Sequence, residues 1–171
     1  MPSQYLDEFI RELRRDGDET FRANHAEPVL IVTRAAGEMA EVTRFDGETT
    51  VMADTSGWRI EKVSLINRVF GVSRGPFSTA RPILLGRSDK ADIVIPDDSV
   101  SKKHCGFDVT PHGITVTDVG STNGTSVNGV ALEPNKPCVL NGGETVKTGH
   151  FSFLFHTADG FIEYLNEVVK I

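Results

Sequence analysis

The sequence has few of the residues that build a disulfide scaffold or a metal centre. It contains two cysteines, Cys105 and Cys138, among 171 residues, which is too few and too unpatterned for either. The five histidines show no paired metal-ligand spacing. No uninterrupted apolar run approaches the ~18–20 residues that a membrane-spanning helix needs. These shortages predict a protein without a metal, cofactor or membrane span.

Positive charge is also scarce. The chain has 18 Lys and Arg against 24 Asp and Glu, a formal net charge of −6, which disfavours a general nucleic-acid binder. Any anion that the protein binds must therefore be held by a local group of donors. Charged residues near the N-terminus exclude the apolar core of a secretory signal peptide, so we expect a cytoplasmic protein. These residues are Asp7, Glu8, Arg11, Glu12, Arg14 and Arg15.

Helical patterns occur at both ends of the chain. From Ser3 to Arg15 apolar residues recur at helical spacing, with Ser3 as the expected N-cap. Gly17 is expected to end this helix, and the polar stretch from Asp16 to Glu27 then predicts a linker. A second apolar face follows Gly160 and predicts a short C-terminal helix. Its residues are Phe161, Ile162, Leu165 and Val168 or Val169.

Between these helices the pattern changes to short β-rich runs separated by turn signals. Asp46-Gly47 predicts a hairpin, and Asn-Gly steps at Asn123, Asn128 and Asn141 predict tight turns with positive φ. Many short strands with such turns predict a mainly β fold, an antiparallel β-sandwich with short N- and C-terminal helices. The predicted strands are Val29–Thr33, Thr49–Ala53, Val63–Val72, Ile83–Leu85, Ile93–Ile95, His104–Val109, Ile114–Asp118 and Phe151–Phe155.

The chain lacks the sequence signatures of common enzymes. It has no Gly-x-Ser-x-Gly elbow, no phosphate-binding loop and no dinucleotide fingerprint. A triad of Ser101, His104 and Asp118 is one alternative, but a triad is recognised only by its geometry. Cys105 is another as a reactive thiol, although alternation along a strand more often buries such a residue. We therefore predict a non-catalytic protein, with a hydrolase as the minor alternative.

The most informative stretch spans residues 85–129. It contains Gly86-Arg87-Ser88 after an apolar strand, then Val100-Ser101-Lys102-Lys103-His104, and then residues 118–129 with the run Gly-Ser-Thr-Asn-Gly-Thr. In this order and spacing, the three motifs resemble the forkhead-associated (FHA) domain, a β-sandwich module that binds phosphothreonine peptides. The resemblance covers roughly residues 65–157.

The chemistry of these motifs fits a phosphate ligand. A phosphothreonine carries about two negative charges and three acceptor oxygens near neutral pH. Arg87 offers planar guanidinium donors, Ser101 a hydroxyl and Lys102 a positive charge. The resemblance implies that these residues and Thr122 hold the phosphate, while Asn123 binds the main chain of the peptide. The plain alternatives are a surface arginine, a loop serine, a solvated lysine and an asparagine in a type I′ turn.

Other residues of the motifs are expected to support the site without touching the ligand. The resemblance implies that His104 braces the binding loops from within. The remaining supporting residues are Gly86, Gly124, Asn128 and Gly129, with Thr125 as a further architectural residue. The sequence departs from the family pattern at Lys102, where the family usually has arginine. Lysine keeps the charge but loses the planar fork.

The expected organisation has four segments. Residues 1–26 form a helix and linker, residues 27–64 a β-rich extension of unknown role, residues 65–157 the FHA domain and residues 158–171 the C-terminal helix. The resemblance implies a phosphothreonine-dependent interaction module in Ser/Thr kinase signalling. Its partner would be a phosphothreonine protein, without nucleic acid or membrane. The alternative is a phosphate-independent scaffold that uses the same fold.

Two acidic threonine sites raise the hypothesis that the protein binds itself. Glu48-Thr49-Thr50 resembles the acidic Thr-Thr site of small bacterial FHA switch proteins, and Thr20 lies behind three acidic residues. Once phosphorylated, such a threonine would be a tethered ligand at roughly millimolar local concentration. The simpler interpretation, which we favour, is that Thr49 and Thr50 begin a strand after the hairpin turn.

Overall fold

The computed structural model describes residues 4–35, 65–75 and 82–170. Within these ranges the chain forms helices at both ends and short strands between them. The elements are β1 (Gln4–Tyr5), α1 (Leu6–Asn24), β2 (Val29–Arg34), β3 (Arg68–Gly71), β4 (Ile83–Gly86), β5 (Ile93–Val94), β6 (Cys105–Thr110), β7 (Gly113–Asp118), β8 (Thr125–Val127), β9 (Val130–Ala131), β10 (Cys138–Leu140), β11 (Thr145–Thr148), β12 (Phe151–His156) and α2 (Ala158–Val169).

The strands form two sheets. The first has seven strands in the order β1-β3-β2-β12-β11-β8-β9, and the second has five in the order β10-β7-β6-β4-β5. Neighbouring strands are antiparallel except for the parallel pair β4 and β5. The predicted mainly β sandwich with a helix at each end is therefore confirmed. The parallel pair is short, because β5 has two residues.

The main core lies between the two sheets. Strand alternation directs Leu85, Phe107 and Val116 inward from the five-stranded sheet, and Phe153 and Phe155 inward from the other; all five are fully buried. A shift of one residue in register would move these side chains to the opposite face. The apolar pattern therefore fixes the register of β12 against its neighbours.

A second core covers the outer face of the seven-stranded sheet. Val29, Ile31 and Val69 point outward and pack against the apolar faces of α1 and α2. The helical residues are Phe9, Leu13 and Phe21 of α1 and Phe161, Ile162 and Leu165 of α2. Because β2 is covered on both faces, its run Val29-Leu30-Ile31-Val32 is buried throughout rather than alternating.

Polar contacts tie the two helices to each other and to the chain around them. His25 Nε2 lies 2.9 Å from Glu12 Oε1, with side chains only 10% and 21% exposed. Asn166 Nδ2 donates to Asp18 Oδ2 at 3.1 Å. At the start of α2, the Thr157 hydroxyl oxygen accepts from the backbone N–H of Gly160 at 3.1 Å, which caps the helix. The helices are therefore an integral layer of the fold.

The prediction of a linker from residue 16 was wrong, because α1 continues to Asn24. Gly17 does leave helical geometry, with φ 75 and ψ 165. The helix resumes because Phe21 is fully buried in the second core, and that burial stabilises the second half of the helix. Ser3 lies outside the described residues, and Tyr5 occupies the N-cap position. The second helix begins at Ala158, so Gly160 lies inside it.

Six of the predicted strands match β2, β4, β5, β6, β7 and β12 within one or two residues. The run from Val63 contains β3 at Arg68–Gly71. The short strands β1, β8, β9, β10 and β11 were not predicted, because runs of two to four residues give little sequence signal. The hairpin at Asp46-Gly47, the strand Thr49–Ala53 and the acidic Thr49-Thr50 site lie outside the described residues. Thr20 is exposed on α1 and not in a linker as predicted.

The boundaries between the four expected segments stay a prediction. One described element bears on the segment 27–64, because its strand β2 pairs with both β12 and β3. This strand is an interior strand of the seven-stranded sheet and contributes to both cores. In residues 4–35, 65–75 and 82–170, no helix has the length and apolar character needed to cross a membrane.

The second core generates a stability prediction. Phe21→Ala should lower the free energy of unfolding by about 3–5 kcal/mol, the usual cost of removing a buried phenyl ring. The measurement is denaturant unfolding at equilibrium. Thr20→Ala, one residue away and exposed, is the control and should change stability by less than about 0.5 kcal/mol. Equal effects of the two variants would contradict an integral helical layer.

Candidate functional site

The predicted site residues lie on loops that meet at one end of the sandwich. Arg87 follows β4, Ser101 precedes β6, and Asn123 lies between β7 and β8. Backbone hydrogen bonds join the first two loops: Arg87 N–H donates to the Ser101 carbonyl at 2.9 Å, and Ser88 N–H to the Lys102 carbonyl at 3.3 Å. The structure therefore brings together residues that the sequence separates.

Gly86 allows the first two loops to approach this closely. A Cβ atom at this position would lie 2.8 Å from the carbonyl carbon of Lys102 and 3.1 Å from the carbonyl oxygen of Ser101. Real Cβ atoms avoid such contacts with backbone, so any side chain here would push the loops apart. Lys102 and Lys103 are both exposed beside this crossing.

The guanidinium of Arg87 is held at one edge and exposed at the other. Its Nε donates to the Val100 carbonyl at 3.2 Å. Its Nη1 lies 3.5 Å from Asp98 Oδ1, with the Arg87 side chain 41% exposed and Asp98 fully exposed. This contact is a loose surface ion pair, so it contributes little to stability. An anion in solution is able to exchange with the Asp98 carboxylate.

Two hydroxyl groups lie side by side next to these donors. Thr122 N–H donates to Ser101 Oγ at 3.0 Å, and Ser101 Oγ donates to Thr122 Oγ1 at 3.4 Å. Thr122 is exposed and Ser101 is half-buried. The second of these hydrogen bonds is long, so it is weak. The pair can turn its hydroxyl hydrogens toward a bound acceptor at small cost.

His104 lies beneath the loops and is fully buried. Its Nδ1 accepts from the Ser101 backbone N–H at 3.1 Å, and its Nε2 lies 3.0 Å from the Gly124 carbonyl. Because a carbonyl only accepts, these partners assign the neutral tautomer with hydrogen on Nε2. One imidazole thus joins the Ser101 loop to the Asn123 loop.

This geometry excludes the Ser101–His104–Asp118 triad. Both ring nitrogens of His104 are bonded to backbone groups, so neither can take a proton from the Ser101 hydroxyl. Asp118 accepts from other groups on its own loop. The alternative of a reactive Cys105 thiol is also wrong. Cys105 is fully buried, and its burial, with the nearby Asp118 carboxylate, raises the pKa of the thiol.

Asp118 supports the Thr122 loop from below, a role that the sequence analysis missed. Its Oδ1 accepts from Gly120 N–H and Ser121 N–H, both at 2.9 Å, and its Oδ2 from the hydroxyls of Ser121 at 2.6 Å and Thr125 at 2.7 Å. Burial alone would raise the pKa of Asp118, but these hydrogen bonds outweigh it and lower that pKa below its usual value. The carboxylate therefore stays ionised and fixes the loop.

The structural role of Asn123 comes from the side-chain amide and not from an unusual backbone conformation. Its Nδ2 donates to the Ser99 carbonyl at 2.8 Å. The interpretation as a type I′ turn residue is wrong here, because positive φ falls on Gly124 and not on Asn123. That turn occurs instead at Asn128-Gly129, with φ 50 and 81, between β8 and β9. These two residues lie beyond β8 and shape its hairpin.

No group of three potential metal-ligating side chains occurs among the residues that the structure describes. The site offers instead a guanidinium, two hydroxyls, an amide and an exposed ammonium at one end of the sandwich. This donor set suits an anionic ligand.

Comparison with known proteins identifies the family. The family model described as FHA domain matches residues 83–149. The chain is 32% identical over 134 residues to the oxoglutarate dehydrogenase inhibitor of Corynebacterium jeikeium, which covers 72% of this chain and 91% of that protein. It is 29% identical over 148 residues to the glycogen accumulation regulator GarA of Mycolicibacterium smegmatis, with 83% and 92% covered.

Other relatives match over a shorter range. The oxoglutarate dehydrogenase inhibitor of Corynebacterium efficiens is 38% identical over 90 residues, 49% of this chain and 61% of that protein. The solution structure of the FHA domain of an Arabidopsis thaliana hypothetical protein shares the fold, with a TM-score of 0.50 at 21% identity over 77% of this chain and 86% of that chain. The resemblance read from three motifs is confirmed. The chain belongs to the FHA domain family.

Proposed function

We propose that this chain binds a phosphothreonine segment of a partner protein at the loop end of its sandwich. As an FHA protein it is a phosphothreonine-dependent interaction module of Ser/Thr kinase signalling. The single observation that carries the assignment to this site is the convergence of Arg87, Ser101 and Thr122. Their donors lie together at a solvent-exposed surface, and the groups beneath them are buried and fully bonded.

The proposed roles follow from what each side chain offers. Arg87 and Lys102 supply positive charge to the phosphate, and the hydroxyls of Ser101 and Thr122 donate to its oxygens. Asn123 supplies donors and an acceptor to the peptide main chain. The support comes from His104, together with Gly86 and Gly124. The chain's acidic total charge, −6, makes this local cluster the determinant of anion binding.

The function is binding, not turnover. FHA proteins and the regulators that resemble this chain are binding proteins, and the Ser101 and His104 side chains are engaged in ways that leave no general base for the hydroxyl. We infer that the partner is a protein phosphorylated by a Ser/Thr kinase, which would place the chain in the cytoplasm. The similar proteins are named an inhibitor of oxoglutarate dehydrogenase and a regulator of glycogen accumulation, so a metabolic enzyme is the partner class to test first.

The first prediction concerns Arg87. Arg87→Ala should weaken phosphothreonine peptide binding by well over tenfold, because truncating one side of a close charge pair costs about 2–5 kcal/mol. The affinity of Arg87→Lys should lie between that of the unsubstituted protein and that of Arg87→Ala, since lysine keeps the charge but lacks the planar guanidinium fork. Isothermal titration with phosphorylated and unphosphorylated peptides makes the measurement.

Arg14→Ala, exposed on α1, removes the same charge elsewhere and is the control. Unchanged affinity for Arg87→Ala would remove Arg87 from the site. Equal binding of phosphorylated and unphosphorylated peptides by the unsubstituted protein would favour the phosphate-independent scaffold.

The second prediction concerns Asp98, whose carboxylate lies 3.5 Å from Arg87. A phosphate must displace this carboxylate, so Asp98→Asn should strengthen phosphopeptide binding by about two- to fivefold, the range expected of a surface ion pair. Asp89→Asn, at another exposed acidic residue near the same loop, controls for the general loss of negative charge. A gain of equal size in both variants would contradict direct competition.

The third prediction separates the proposed brace from the proposed contact. His104→Ala removes a fully buried side chain and takes the partner from two part-buried backbone groups, and each unsatisfied group costs up to about 1–3 kcal/mol. The melting temperature of the unliganded protein should therefore fall clearly. Arg87→Ala should change it little, because that side chain is partly exposed and loosely paired. A larger loss for Arg87→Ala than for His104→Ala would reverse this division of roles.

A further inference from the structure

Ser99 connects three parts of the binding end, although no motif pointed to it. It is only 8% exposed, and its polar groups are all in use. Its backbone N–H donates to Asp97 Oδ1 at 2.8 Å, its hydroxyl oxygen accepts from His150 N–H at 3.0 Å, and its carbonyl accepts from Asn123 Nδ2 at 2.8 Å. One buried serine therefore links its own loop, the β11–β12 turn and the Asn123 loop.

The β11–β12 turn lies in close contact with Ser99. Gly149 has φ 56, and a Cβ built on it would lie 2.5 Å from Ser99 Oγ and 2.7 Å from the Ser99 carbonyl carbon. Only a glycine satisfies both the positive φ and the close approach. The hydroxyl and the carbonyl of Ser99 are therefore both fixed by a turn further along the chain, and the Ser99–His150 separation is 51 residues.

The position of the Ser99 carbonyl decides how the Asn123 amide is oriented. A carbonyl only accepts, so the Nδ2 end of the amide must face Ser99. One N–H is then used, and the second N–H and the Oδ1 acceptor remain for another partner. A peptide main chain offers one donor and one acceptor per residue, which matches these two remaining groups.

We propose that Gly149 and Ser99 are positioning residues for peptide recognition: the turn holds the Ser99 carbonyl, and the carbonyl sets the orientation of the Asn123 amide. This inference rests on the proposed function for its effect on binding. It assigns a recognition role to the β11–β12 turn, whose residues are not among the proposed phosphate donors. Displacement of the turn should weaken peptide binding through Asn123 while Arg87 and the hydroxyl pair remain in place.

Gly149→Ala tests the proposal, with Gly143→Ala as the matched control. Both glycines have positive φ, 56 and 89, but a Cβ at Gly143 meets nothing within 4 Å. Both variants bear backbone strain, and only Gly149→Ala displaces Ser99. Gly149→Ala should weaken phosphothreonine peptide binding roughly tenfold, as loss of one or two hydrogen bonds implies. Gly143→Ala should stay within about twofold of the unsubstituted protein.

A double-mutant cycle with Asn123→Ala distinguishes positioning from general damage. If Gly149 acts through Asn123, Gly149→Ala should have almost no further effect on binding once Asn123 is alanine. Full additivity of the two losses would overturn the proposal. Equal loss of binding in Gly143→Ala and Gly149→Ala would overturn it as well, because strain alone would then explain both.

Amide NMR spectra of the unliganded protein decide the matter even if the proposed function fails. If the unsubstituted protein does not bind the phosphopeptide, the proposed function is lost, but the Asn123 side-chain amide still reports its own orientation. The hydrogen bond to Ser99 should separate the chemical shifts of its two Nδ2 protons. These chemical shifts should change in Gly149→Ala but not in Gly143→Ala. An unchanged Asn123 amide signal in Gly149→Ala would overturn the positioning role.

Discussion

Two hydrogen bonds of one buried imidazole hold the binding end of the sandwich together. His104 accepts from the Ser101 N–H and donates to the carbonyl of Gly124, which lies 20 residues after His104 on another loop. Because both partners are backbone atoms, the imidazole fixes the course of the chain and leaves the Ser101 and Thr122 side chains free to face outward. The close approach of two loops at Gly86 and the hydrogen bonds of the ionised Asp118 carboxylate also hold the binding loops in place. The site is rigid where it is buried and adaptable only at its surface.

The terminal helices stabilise the fold without taking part in this end of the molecule. Their apolar faces pack on the outer face of the seven-stranded sheet, against β2 and β3. The binding loops instead extend from strands that enclose the core between the sheets. Stability and recognition are therefore carried by different contacts. A substitution such as Phe21→Ala acts on stability, and one at Arg87 acts on recognition.

The sequence predicted the local motifs well and the long-range contacts poorly. Gly-Arg-Ser after a strand and the Ser-Lys-Lys-His run are contiguous signals, and each stands at the end or start of a predicted strand. Ser99 escaped notice because its importance depends on His150, 51 residues away, and on Asn123, 24 residues away. The second half of α1 was missed for a related reason. A single large apolar residue, Phe21, in a polar stretch gives no periodic signal, and its burial depends on a sheet formed elsewhere.

The unliganded site is already bonded, and this determines how it can discriminate. Arg87 contacts the Asp98 carboxylate, Ser101 contacts Thr122, and Asn123 contacts the Ser99 carbonyl. A ligand therefore exchanges existing contacts for new ones, and only the difference contributes to affinity. A singly charged carboxylate would replace one carboxylate at Arg87 by another and gain little. A phosphate brings about twice the charge and three acceptor oxygens, so it gains from the guanidinium and both hydroxyls together. The Asn123 contact adds a different discrimination, because its remaining groups match a peptide main chain and not a free phosphate. The charge of the phosphate and the hydrogen bonds of Asn123 to the peptide main chain together favour a phosphorylated peptide over a free phosphate or an unphosphorylated peptide.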